Sequence, residues 1–174
     1  MTNLGVRAMS HDDRYRAKLQ AIIASFEFWV PSIADVATIR ETNAADYWRL
    51  SIMPRQPGAC PFELVLRADG QHDIMIADQI FEDLPTTDLD VFLPLAVAIA
   101  EGRVVRRTWS TAGTRTPVAT DTIVTPADRD IWRQRRVIHS AGSVAATVNT
   151  TADIDLIAED IHFLPYRRER RRAD

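Results

Sequence analysis

The chain holds a single cysteine, Cys60, which excludes an internal disulfide framework and any multi-cysteine zinc site. A reducing compartment is the natural expectation, and the cytoplasm is its default. Glycine is also scarce, at six residues, and neither a P-loop nor a G-x-G-x-x-G pattern occurs. Nucleotide-dependent chemistry by the common phosphate-cradling routes is therefore not expected, nor is any cofactor. No G-x-S-x-G elbow is present, and Ser110 and Ser140 lack a local base. No apolar run approaches the roughly 18 residues that a bilayer-spanning helix needs. The apolar stretch at residues 21–30 follows Arg14, Arg16 and Lys18, but Glu27 interrupts it and no small-residue cleavage site follows, so a secretory leader is not expected either. Lysine is nearly absent beside many arginines, a codon signature of a GC-rich, bacterial genome that says nothing about mechanism.

What is present is a hydrophobic fraction of 46% in 174 residues. That is enough for one core burying roughly 70% of the unfolded surface. The net charge of −3 conceals a segregation. Residues 61–102 carry nine acids against Arg67 alone, a net −8, whereas residues 103–140 carry eight arginines against Asp121, Asp128 and Asp130, a net +5. Neighbouring elements of opposite charge can simply complement one another, and the same segregation also offers a partner a surface to read.

Ser10 followed by Asp13 reads as a helix cap, and Tyr15, Leu19, Ile22, Ile23 and Phe26 recur at helical spacing until Pro31 stops them. Residues 34–39 and 47–53 read as strands, the second alternating Trp48, Leu50 and Ile52 with Arg49 and Ser51. The segment 62–111 then reads as a ββαβ unit. Its hairpin turns on Asp69–Gly70, and two registers compete. A two-residue loop would set Asp73 opposite Leu66 and bury a carboxylate. A three-residue loop at residues 68–70, with Gly70 left-handed, pairs Phe62 with Ile76, Leu64 with Ile74 and Leu66 with His72, and is the register expected.

Residues 78–83 read as an acidic bend. Thr87 with Asp90 reads as the cap of a helix ending at Gly102, with Pro94 anomalous inside it. Residues 103–111 read as a strand. Thr125, Pro126 and Asp128 form a second capping signature that predicts a short helix towards Arg136. The stretch 140–151 reads as a linker, and residues 141–166 suit a helix or a strand equally. Together these readings predict an α+β fold: one antiparallel sheet of five or six strands with the N-terminal and mid-chain helices on one face. They imply a single globular domain over residues 1–140, a peripheral segment over 141–166 and a disordered charged tail over 167–174.

The four histidines, His11, His72, His139 and His162, fall in no zinc-type spacing, and the acids Asp153, Asp155, Glu159 and Asp160 lack the spacing and turn glycine of a calcium loop, so no metal is expected. The leading expectation is a non-catalytic binding or adaptor domain. It would recognise a protein partner through Arg103, Arg106, Arg107, Trp109, Arg133 and Arg136, because arginine and tryptophan dominate interface hot spots. A small enzyme or ligand-binding domain is the alternative, using a cleft between sheet and helix with His72, Asp78, Glu82 and Asp83 near its mouth. Nucleic acid is a third and less favoured partner: the arginines could reach phosphates and Trp109 could stack on a base, but the pI of about 5.8 is low for such a role. A membrane partner is not expected, and the oligomeric state is left open.

Overall fold

A computed structural model describes residues 11–138 and 155–167. The chain is α+β, with two helices, α1 (His11–Trp29) and α2 (Phe92–Ala100), and two antiparallel sheets. No described helix is long and apolar enough to cross a membrane. The chain divides into two compact units, Met1–Met53 with Pro61–Leu93 and Pro54–Cys60 with Pro94–Asp174.

In the first unit, β1 (Ala37–Asn43), β2 (Tyr47–Pro54), β3 (Phe62–Arg67), β4 (Gln71–Ile76) and β5 (Gln79–Pro85) form a five-stranded sheet in sequential order. The alternation of the sequence decides its buried face. Rows Trp48–Leu66–His72, Leu50–Leu64–Ile74 and Ile52–Phe62–Ile76 run across β2, β3 and β4, and all of these residues are buried. Each large apolar side chain so enclosed is worth about 1.5–3 kcal/mol. From Leu19 to Phe26 the periodic stripe of α1 is buried as well, with Tyr15 half-buried, and Phe26 meets Trp48 at 5.3 Å between ring centroids. Helix α1 ends where Pro31 enters a 3-10 turn, Val30–Ile33.

The β3–β4 hairpin adopts the three-residue loop, with Gly70 at φ +86 and its N–H donating to the Arg67 carbonyl at 3.3 Å. All three expected pairs, Phe62/Ile76, Leu64/Ile74 and Leu66/His72, are present. A one-residue slip would have sent Ile74 and Ile76 to solvent.

The second sheet has the order β8-β7-β6-β9, formed by β6 (Val104–Thr111), β7 (Pro117–Val124), β8 (Trp132–Val137) and β9 (Leu156–His162). This corrects the expectation of one sheet of five or six strands: β6 follows α2 in the chain but pairs with β7 and β9, not with β3 to β5. It also corrects two local readings. The acidic bend at residues 78–83 is mostly β5, an edge strand whose exposed residues hide its period. The helix expected from residue 125 towards Arg136 is not formed: residues 125–131 are irregular, and Trp132–Val137 form β8, whose alternating side chains pair along β7. Within the C-terminal segment, expected to be peripheral and open between helix and strand, Leu156–His162 form β9, paired with Val105–Thr111 of β6.

Asp88, not Thr87, caps the turn before α2, its carboxylate accepting the Asp90 N–H at 3.0 Å. Pro94 thus falls in the first turn of α2, where a missing N–H costs little, and no interior kink is needed. The helix ends in a Schellman arrangement: Arg103 N–H donates to the Ala98 carbonyl, Gly102 N–H donates to Ile99, and Gly102 sits at φ +75. Ser10, His139, the 140–151 linker, Asp153 and the tail beyond residue 167 lie outside the described residues.

Candidate functional site

The strand register of the second sheet assembles a cluster that no single segment of sequence displays. Arg107 on β6 lies beside Asp121 on β7, which lies beside Arg135 on β8, and on its other side Arg107 faces Asp160 on β9. Cross-strand neighbours share a sheet face, so these four side chains form one charged row. The next row on that face is apolar: Val137, Ala119, Trp109 and Ala158. Val137 is 56% exposed, and Leu156, two residues from Ala158 on the same face, is 46% exposed.

Asp121 is the hub. Its carboxylate is fully buried yet accepts from the Trp109 indole N–H at 2.7 Å, from Arg135 Nε at 2.7 Å and Nη2 at 3.0 Å, and from Arg133 Nη2. The Arg135 hydrogen bond above all, with those of Trp109 and Arg133, holds this carboxyl far below the usual carboxylate range against the opposing effect of burial. Arg107 makes a two-pronged pair with Asp160, Nε to Oδ1 at 2.8 Å and Nη2 to Oδ2 at 2.7 Å, which lowers the Asp160 pKa and raises that of Arg107. The guanidinium carbons of Arg107 and Arg135 lie 5.8 and 5.7 Å from the Trp109 ring centroid. Each such contact contributes about 0.5–1 kcal/mol at an exposed site. The indole is therefore fixed by one hydrogen bond and two cations on a central strand, with little rotamer freedom left to lose.

Of the six residues expected on this surface, Arg107, Trp109 and Arg133 come together. Arg106 and Arg136 alternate to the opposite face, beside Thr122 and Thr120 respectively, and Arg103 precedes β6 and pairs with Glu101 at 2.5 Å. Asp121 and Arg135 complete the cluster. Asp121 had a signal in the sequence: aspartate is depleted in strands, and here one stands between β-branched residues with arginine-rich segments on both sides.

The residues of the alternative cleft do not converge. His72 is on the buried face, its ring 4.8 Å from that of Phe92 and its Nδ1 3.0 Å from Thr86 Oγ1, and burial lowers its pKa. Asp83 belongs to the other face, where Arg67 binds both Asp73 at 2.5 Å and Asp83 at 2.7 Å. Glu82 is exposed on edge strand β5, and Asp78 sits in the turn before it. Among the described residues, no group of three histidine, cysteine, aspartate or glutamate side chains could hold a metal ion.

Comparison with family models, with curated proteins and with solved structures gives no match for this chain.

Proposed function

We propose that this chain is a non-catalytic binding or adaptor domain that recognises a protein partner through the Trp109 face of its second sheet. The observation that carries the reading is the juxtaposition of two rows on one face: Val137–Ala119–Trp109–Ala158, apolar and part-exposed, beside Arg135–Asp121–Arg107–Asp160, charged and internally paired. A rigid aromatic anchor ringed by arginines is the composition of an interface hot spot, and fixing the anchor before binding lowers the ordering cost of association.

The same pairing weighs against nucleic acid as the partner. Arg107, Arg133 and Arg135 are held by Asp160 and Asp121, so this face offers little uncompensated positive charge to a phosphate backbone. The cleft reading loses support because His72 and Asp83 occupy opposite faces of their sheet. A cytoplasmic setting accords with the lone, buried Cys60.

The test is affinity capture by the tagged chain from lysate of its source organism, with nuclease present and salt varied, followed by identification of captured proteins by mass. A stoichiometric protein retained by the wild type and lost by Trp109→Ala at unchanged secondary structure is the expected outcome. Capture that vanishes with nuclease, or that survives Trp109→Ala, would refute the reading.

A further inference from the structure

A second surface, on the first unit, has a different character. Phe28 on α1 is 90% exposed, the most exposed of the large apolar side chains described. Beside it runs a groove of about 570 Å³ lined by Ala24, Ser25, Phe28, Trp29, Ser32 and Leu93. Lone exposed apolar residues need no explanation, but an aromatic ring beside an apolar groove presents both a projection and a recess on one patch. A two-fold symmetric contact brings the same patch of two copies together, so each feature of the patch must find its partner elsewhere on that patch.

The charges of α1 specify the occupant. Its N-terminal half presents Arg14, Arg16 and Lys18, all exposed, whereas residues 21–29 contain no cation and one acid, Glu27. Arg16 and Glu27 are exposed and form no ion pair among the described residues. They lie eleven residues apart, about three helical turns, and so on one flank of the helix. Ala17 and Phe28 have the same separation and define a second line about 100° further round the helix.

A two-fold axis passing near Ala21 and relating two antiparallel α1 helices exchanges the members of each pair. It sets Arg16 beside Glu27 of the second copy on one flank and Phe28 over Ala17 of the second copy at the centre. On the other flank it sets Arg14 against Trp29 of the second copy, with the aliphatic stem of the arginine entering the groove. No cation meets a cation, and the opposed helix dipoles add to the fit.

We infer that the Phe28 face of α1 is a homodimer interface, occupied by the α1 helix of a second copy in antiparallel orientation. This surface belongs to the first unit and the Trp109 face to the second, and its failure would leave the partner-binding reading standing.

Sedimentation velocity on the full chain over a wide concentration range is the test. The wild type sediments as a concentration-dependent dimer and Phe28→Glu as a monomer, both with the same circular dichroism spectrum. Arg16→Glu and Glu27→Arg each place two like-charge pairs in the contact and weaken the dimer by about ten-fold. The double variant Arg16→Glu/Glu27→Arg restores the pairing with its sign reversed and recovers wild-type affinity. A wild-type chain that is monomeric throughout the range would overturn the inference. A dimer indifferent to Phe28→Glu, or a charge reversal that fails to restore association, would do so equally.

Discussion

Replacing Asp121 by asparagine keeps the shape of the hub of the second sheet and removes its charge. The carboxylate is fully buried while the side chains of its arginine partners are 49% and 51% exposed. Hydrogen bonds to a charged group contribute about 1.5–3 kcal/mol apiece, but water can re-solvate half-exposed guanidiniums, so a loss of about 2–3 kcal/mol is expected rather than the sum over all the bonds. The pH dependence supplies an internal control. The folded-state pKa of Asp121 is depressed, so its contribution is complete above the unfolded value near pH 4 and disappears as pH falls through the lower folded value. Urea unfolding of wild type and Asp121→Asn should therefore differ by the full amount at pH 7 and converge as the pH drops below about 4. A variant as stable as the wild type at pH 7, or a difference that stays constant into acid, would refute the idea that the carboxylate charge organises this face.

Gly102→Ala should cost at least about 2–3 kcal/mol in denaturant unfolding, since φ is +75 and a Cβ would stand 2.6 Å from the Pro165 nitrogen and 2.8 Å from the Leu164 carbonyl carbon. Gly70→Ala shares the positive φ but meets no atom within 4 Å, and should cost only about 1 kcal/mol. Tyr166→Phe removes the hydroxyl that donates to the buried Cys60 carbonyl at 2.8 Å and should lower stability by about 1–2 kcal/mol in the same assay. Burial depresses the folded pKa of His72, so the unfolded chain takes up its proton first and stability should fall as pH drops below about 6.5. Thermal melts of His72→Gln over that range should show a weaker pH dependence than the wild type.

Legibility in the sequence followed the range of the interaction concerned. The α1 stripe and the β3–β4 register were readable because periodicity and one left-handed glycine determine them within a few residues of chain. Strand β5 was not, because an edge strand with the sequence QIFEDLP buries too little to show a period. The capping pattern at residues 125–128 resembled a helix start, yet the segment after it gains more from pairing its alternating side chains with β7. Nothing local states which strands share a sheet. For the same reason Arg106 and Arg107 looked equivalent in sequence although alternation sends them to opposite faces. Asp121 is conspicuous in its own segment as an aspartate between β-branched residues, but its place as the hub follows from β6 and β8 flanking β7, which no local pattern states.

That separation of faces gives the most direct test of the proposed role. Binding of the captured partner should be measured for Trp109→Ala with Arg107→Ala and, separately, for Arg106→Ala with Arg136→Ala, using melting temperature to confirm folding. Loss of binding in the first pair with wild-type affinity in the second is the predicted result. Equal loss in both pairs, or loss in the second alone, would contradict assignment of the interface to the Trp109 face.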